Sequence, residues 1–226
     1  MSEGIAIPRE AAEQLLGVLR DAWARVAPEC RSAVGAVELV GSARRGALLV
    51  RDLDLVAPLP AAALHGPYRE GSFAWTDDPL FAAVNACRTG PLEAPRLTLF
   101  PRDEWPTSDK RWTEEISGVK PFFRCAQLEA VTKTLGRVKV QVNRYTPQNR
   151  GWITAMRTGP GEFGVAFLVT WKRRWGITGE ASVDGHLVDR EGTVVPVADE
   201  AALFAQCGLT YIEPERREAW AKAVCP

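Results

Sequence analysis

The chain has no run of about 18 apolar residues, so no membrane-spanning helix is expected. Its first residues, Met1 to Glu10, lack a basic stretch followed by an apolar one, and no secretion signal is expected. Cysteine and histidine are too few and too scattered for a structural zinc site. Five cysteines (Cys30, Cys87, Cys125, Cys207, Cys225) form no C-x-x-C pair, and only His65 and His186 accompany them. Such a set reads as free thiols in a reducing cytoplasm. There is no excess of charge either: 28 basic and 28 acidic residues cancel. A uniformly basic nucleic-acid coat is thereby excluded.

What is present is a globular composition, 46% hydrophobic and 25% charged over 226 residues, enough to bury a core of one to two domains. The charge is also unevenly placed. Between Lys133 and Arg174 lie nine basic residues and one acid, Glu162. That asymmetry suits a surface facing phosphates, and equally a solvated basic face.

Hydrophobic spacing at Ala12, Leu15, Leu16, Leu19, Trp23 and Val26 predicts a helix over 8–27, with Pro8 in its first turn. Ala36–Val40 reads as a short strand running into Gly41, and Leu53–Ala57 as a second strand stopped by Pro58 and Pro60. Residues 58–120 are poorly legible, with a helical candidate at Pro79–Cys87 and a strand candidate at Arg96–Phe100. Over Arg137–Arg144, Val138, Val140 and Val142 alternate with Lys139, Gln141 and Asn143, a strand with one apolar face. Gly164–Trp175 reads as a helix, Leu187–Val197 as a hairpin around Glu191-Gly192, and Glu200–Cys207 as a helix closed by Gly208. Strands and helices mix without regular alternation and without an internal repeat, so the expected class is α+β.

The chemistry is concentrated in Gly41-Ser42-Ala43-Arg44-Arg45-Gly46 and Arg51-Asp52-Leu53-Asp54-Leu55. A strand that ends in Gly-Ser and turns sharply offers backbone N–H groups and a hydroxyl to phosphate oxygens. Arg45 adds a planar cation able to grip a phosphate with two bonds. Ten residues after Ser42, Asp52 and Asp54 share one strand face by the period of two. Two carboxylates beside a phosphate turn suit Mg²⁺, or Mn²⁺, bridging a nucleoside triphosphate. Each piece alone is common; their combination at this separation is specific.

These motifs resemble the nucleotidyltransferase signature of the family X DNA polymerases: Gly-Ser-x-Arg-Arg-Gly, then Asp-x-Asp after five residues. Gly41, Ser42, Arg44, Arg45, Gly46, Asp52 and Asp54 all match, while Arg51 stands where the family has glycine. Pro8-Arg9-Glu10 and its helix are similar to the helix before the family's palm. Arg157-Thr158-Gly159-Pro160 looks like its Thr-Gly-Ser turn, and Gly208–Arg217 like the closing segment of its thumb. The likeness spans roughly 7–57 and 136–219 and skips the middle, an inserted or diverged stretch near 58–120. The family's lyase domain and helix-hairpin-helix modules have no counterpart.

The resemblance implies a nucleotidyltransferase palm over 1–150, a mixed or antiparallel sheet with helices on one side, and a small thumb-like α/β subdomain over 151–226. It implies DNA polymerase activity on a primer-template or gapped DNA in repair or replication, with dNTP as substrate and a monomeric protein. A form this small suits a virus-encoded member working in the host cytoplasm. Residue by residue, Asp52 and Asp54 would hold the metals. Gly41, Ser42, Arg45, Arg51, Met156, Arg157, Thr158 and Gly159 would face the nucleotide, with Met156 and Arg157 replacing the family's aromatic pair. Lys133, Arg137, Lys139, Arg144, Lys172, Arg173 and Arg174 are the candidates for DNA phosphates.

One departure matters. Seventeen residues before Thr158, where the family places a third catalytic aspartate, stands Gln141. An amide can coordinate or hydrogen-bond, but it supplies no charge and takes no proton. Lys139 and Asn143 are its neighbours on that face, and no acid lies between Glu129 and Glu162. Three readings follow: an active enzyme completed by another carboxylate such as Glu38, a palm that binds without efficient transfer, or transfer to an acceptor other than nucleic acid. Trp171 and Trp175 around Lys172-Arg173-Arg174 could form an aromatic platform for nucleic acid. Their four-residue spacing favours a buried pair instead. Trp152 is expected in the core, and His65 and His186 at the surface.

Overall fold

The computed structural model describes residues 6–26, 35–58, 96–99, 125–132, 136–183 and 185–225. The helix expected at Pro79–Cys87, and Cys30, His65, Cys87 and Lys133, lie outside these residues. The class is α+β. In chain order the elements are β1 (Ile7–Pro8), α1 (Arg9–Val26), β2 (Glu38–Leu39), α2 (Gly41–Arg44), β3 (Leu49–Val50), β4 (Asp52–Pro58), β5 (Arg96–Leu99), β6 (Cys125–Thr132) and β7 (Gly136–Tyr145). There follow α3 (Arg150–Thr158), α4 (Gly161–Trp175), β8 (Ser182–Val183), β9 (His186–Leu187), α5 (Glu200–Gln206), a 3₁₀ turn (Pro214–Arg216) and α6 (Arg217–Val224). Among the described residues no helix is long and apolar enough to cross a membrane.

The chain divides into two compact units. One comprises 1–39 and 48–144, the other 40–47 and 145–226. In the first, five strands form a sheet in the order β2-β4-β7-β6-β5. β6 and β7 pair antiparallel over eight residues, from Cys125↔Asn143 to Thr132↔Gly136, and β5 joins β6 antiparallel through Arg96↔Val131 to Leu99↔Leu128. The alternation read in β7 holds: Val138, Val140 and Val142 are buried, while Lys139 and Gln141 are half-buried. On β4, Leu53, Leu55 and Ala57 are fully buried. The apolar stripe of α1 (Ala12, Leu15, Leu16, Leu19) is buried as its spacing requires. β1 pairs with β3 beside it, Ile7 against Val50.

The second unit is mostly helical. Phe163, Phe167 and Trp171 recur every four residues along α4 and form one buried stripe. Phe204 of α5 meets Phe167 edge-to-face at 5.7 Å, and Trp220 of α6 and Trp152 of α3 approach the same ring at 6.3 and 5.6 Å. α4 ends at Gly176, whose φ of 64° is the left-handed conformation glycine adopts without strain, and Ile177 N–H closes on the Lys172 carbonyl.

Several expectations change. The strand read at Ala36–Val40 is confined to Glu38–Leu39, and the phosphate turn is one turn of helix, α2. α4 starts three residues before Gly164. The elements not anticipated include β6, α3 and α6, and in place of the hairpin expected around Glu191-Gly192 the pairing is the isolated bridge Val188↔Val194. β6 carries Ala, Gln, Leu and Glu, residues that favour helix in isolation, and its pairing with β7 overrides that preference. His186, expected at the surface, is half-buried with Nε2 3.1 Å from the Thr146 hydroxyl. Trp152 is in the core as expected, and Trp171 is fully buried and stacked on Trp175 at 5.3 Å.

Because Phe167 meets five aromatic partners, cutting it to alanine leaves a cavity among them. Phe167→Ala should lower unfolding free energy by about 3–5 kcal/mol in a denaturant titration. Exposed Arg173→Ala should change it by less than about 0.5 kcal/mol.

Candidate active site

The two candidate carboxylates belong to the first unit. Asp52 and Asp54 alternate with buried Leu53 and Leu55, so both side chains stand on the other face of β4, each half-buried. β7, which carries Gln141, is the neighbouring strand in the sheet, and the Asn143 amide donates to the Leu55 carbonyl at 3.4 Å. Gln141 itself lies directly opposite Gln127 of β6. Glu38 is set opposite Val56 by the β2–β4 register. Residues directly opposite in an antiparallel pair share a face, so Glu38 falls on the face of Asp54 and Asp52. Glu38 is one of the candidates for completing the carboxylate set, and the register places it on that face of the sheet.

Two carboxylates on one strand face are hard oxygen donors of the type Mg²⁺ and Mn²⁺ take, with nucleotide oxygens and water completing the set. Among the described residues, however, no three of His, Cys, Asp and Glu gather as a metal-holding group.

The Gly-Ser-x-Arg-Arg turn belongs to the second unit. Gly41 has a φ of 68°, open to glycine without strain, and it starts the single turn of α2. Gly41 and Ala43 are buried, and Ser42, Arg44 and Arg45 are half-buried. Both arginines are drawn to one place. Arg44 Nη1 donates to the Thr158 hydroxyl at 2.8 Å, and Arg45 Nη1 to the Thr158 carbonyl at 2.6 Å. Thr158 is fully buried at the end of α3, immediately before Gly159. Gly159 cannot be exchanged without a clash, since a Cβ there would run into the Phe163 ring. The Gly-Ser-x-Arg-Arg turn and the Thr-Gly turn, 114 residues apart in the chain, are thus directly bonded. Arginine has five N–H donors, so the bond to Thr158 engages only one of those on Arg45.

Behind Arg44 lies a buried carboxylate. Glu200, the first residue of α5, accepts from Arg44 Nη2 and pairs with Arg217 Nη1 at 2.7 Å. The Tyr211 hydroxyl reaches the same carboxylate at 3.4 Å. Arg217 is fully buried, donates from Nε to the Ile212 carbonyl at 3.1 Å, and lies over the rings of Phe163, Phe204 and Tyr211. Burial works to raise the Glu200 pKa, but contact with the two guanidinium groups outweighs it and holds the carboxyl below the ordinary glutamate range. Burial, and then the Glu200 charge, raise the Tyr211 pKa, so its hydroxyl stays protonated as a donor. Spacing gave no sign of this network: Glu200 is 156 residues from Arg44.

The remaining candidates separate by exposure. Arg51 and Arg157 are exposed, and Met156 is half-buried with its sulfur against Gly164 of α4. Arg173 and Arg174 are exposed in the last turn of α4 and Lys172 is half-buried. These three cations also complement the negative end of the helix dipole. Lys139 is half-buried beside Gln141. Arg144 is buried at 4% exposure, which removes it from the exposed basic surface predicted from charge spacing. For Arg137 only the backbone position on β7 is described, paired with Val131.

A glutamate with a lowered pKa contributes stability that is complete above its unfolded pKa and lost as pH falls through its folded value. Acidification below the ordinary glutamate range should therefore destabilise the native chain. Glu200→Gln should reduce that loss while lowering stability near neutral pH by about 3–5 kcal/mol, the cost of leaving Arg217 buried without its counter-charge. Thermal unfolding of both proteins across pH 3–8 checks this (the range is chosen to span roughly the carboxylate titration). The chain matches no known protein-family model and no curated protein.

Proposed function

We propose that the chain is a metal-dependent nucleotidyltransferase of the family X polymerase type, adding a nucleoside monophosphate from a dNTP to a nucleic-acid 3′ end. The observation that carries this is the pair of hydrogen bonds from Arg44 and Arg45 to Thr158. Two motifs identified separately in the sequence, one suited to phosphate and the other to the sugar, are built as a single piece of protein. The α+β class and the shared strand face of Asp52 and Asp54 support the same reading.

In this reading Ser42, Arg45 and the N–H groups of the turn take the triphosphate, and Gly159 allows close approach of the sugar. Asp52 and Asp54 supply the negative charge that holds a divalent cation, Mg²⁺ or Mn²⁺, which when bound offsets charge building up on the phosphates. Gln141 can orient a 3′-hydroxyl by hydrogen bonding, but the proton must leave to solvent or to another carboxylate such as Glu38. DNA phosphates of a primer-template or gapped substrate would meet Arg173 and Arg174. A palm and thumb with few phosphate contacts implies short-lived binding and low processivity.

A second reading rests on Gln141 itself: a palm that binds nucleotide or DNA and transfers slowly. Primer extension with Mg²⁺ or Mn²⁺ separates the two. If the enzyme is active, Asp52→Asn should reduce the rate by at least about a hundredfold. Gln141→Asp should raise it by about a hundredfold, the lower end of what a positioned proton acceptor provides. No extension by either the native chain or Gln141→Asp defeats the polymerase reading. Thermal stabilisation by dNTP and Mg²⁺ that requires Asp52 and Asp54, without product, establishes the binding-only one. For DNA binding, Arg173→Ala should lower the slope of log affinity against log salt by about 0.9, one phosphate contact.

A further inference from the structure

The α2 turn is only partly held by its own backbone. It is a single helical turn whose first two backbone bonds, Arg44 N–H to Val40 and Arg45 N–H to Gly41, are long at 3.5 and 3.3 Å. One turn is below the length at which helix stabilises itself in water. Its N-cap, Val40, offers no side-chain bond. Its later bonds, Gly46 N–H to Ala43 and Ala47 N–H to Ser42, are of ordinary length at 3.1 Å, and what the two arginines hold adds to them in fixing Ser42 and the turn's N–H groups.

Among the described residues, Arg45 donates to the Thr158 carbonyl, and Arg44 reaches both the Thr158 hydroxyl and Glu200. Glu200 in turn is fixed by Arg217, which aromatic rings surround and the Ile212 carbonyl orients. Asp199, capping α5 through the Ala202 N–H at 2.7 Å, fixes the backbone from which Glu200 projects. A continuous path runs from the aromatic core of this unit through Arg217 and Glu200 to Arg44 and the turn. Its links are ring contacts at the core end, then the Arg217–Glu200 ion pair, then the Arg44 bond to Glu200.

We propose that Glu200 is a positioning residue for nucleotide binding: it fixes Arg44 and so holds the Gly41–Gly46 turn in the shape that receives phosphate. Its functional consequence rests on the nucleotidyl-transfer reading, but the mechanical part does not. The opposing view is that Glu200 only neutralises Arg217. Arg44→Gln distinguishes them, because it cuts the path on the half-buried side and leaves the Glu200–Arg217 pair intact.

The test compares the native chain, Arg44→Gln and Glu200→Gln by hydrogen exchange, dNTP titration and primer extension. In Arg44→Gln the amides of 41–47 should exchange about tenfold faster or more, while those of α4 stay unchanged. The dissociation constant for dNTP should rise about 10- to 100-fold, the value of a lost charged hydrogen bond, with turnover at saturating dNTP changed by less than about threefold. Glu200→Gln should show the same pattern; if it fails to fold, Arg44→Gln is compared with Thr158→Val, which removes only the hydroxyl anchor, and a larger effect in Arg44→Gln supports the proposal while equal effects overturn it. Unchanged exchange at 41–47 with unchanged dNTP affinity in Arg44→Gln overturns the proposal. Should the native chain bind no dNTP, the nucleotidyl-transfer reading falls, and the exchange data still decide whether this path holds the turn.

Discussion

Glu200 is a carboxylate kept ionised in a place where an isolated charge could not survive. Burial of a lone carboxylate costs several kcal/mol after relaxation, and proteins ordinarily avoid it by neutralising the group. Here two guanidinium groups flank it, and one of them, Arg217, is itself fully buried and needs the carboxylate as much as the carboxylate needs it. Faces of Phe163, Phe204 and Tyr211 lie about 5 to 6 Å from the Arg217 guanidinium, where ring quadrupoles favour a cation. The aromatic core and the ion network are therefore one construction. α4, α5 and α6 each contribute a ring or a charge to it, and the phosphate turn hangs from its open side.

That arrangement explains why sequence reasoning picked out candidate residues but not the network behind the turn. Gly41, Ser42, Asp52 and Asp54 lie within fourteen residues, and their types dictate their chemistry, so a local pattern suffices to pick them out. The apolar stripes of α1 and α4 and the alternation of β7 are local too. Glu200 and Arg217 have no local signature. An acid at the start of a helix and an arginine near a proline turn look like ordinary surface residues, and only packing puts them out of water. Arg144 shows the same failure in the other direction, a cation counted toward a basic surface that folding buries.

The missed elements share a cause. α3 contains a glycine, two threonines, an isoleucine and a tryptophan in nine residues, a weak helix by propensity. Its placement is set from outside: Gly151 N–H bonds the Val197 carbonyl at 2.9 Å, and a Cβ at Gly151 would collide with the backbone of Asp199. The close approach of α3 to the start of α5 brings Thr158 and Glu200 within reach of the same arginine. A helix with poor intrinsic preference is tolerated because its small residues permit this contact. Strong helix formers would predict better and fit worse.

Stability alone does not account for such a network. Well-packed apolar residues in place of a buried ion triad are often neutral or more stable, so a fold that needed only to cohere could do without Arg44, Glu200 and Arg217 together. What apolar packing cannot supply is direction: a guanidinium held by a hydroxyl on one nitrogen and a carboxylate on the other is fixed in orientation as well as place. The asymmetry with the candidate carboxylates is informative in the same terms. Substituting Gln141 for an acid alters what the strand face can do chemically and leaves the sheet intact, whereas loosening Arg44 would alter the shape of the receiving surface itself. A protein can tune its rate at the first position and still recognise a triphosphate, provided the second remains rigid. Under the proposed reading, the turn, more than the carboxylates, would define the class of ligand.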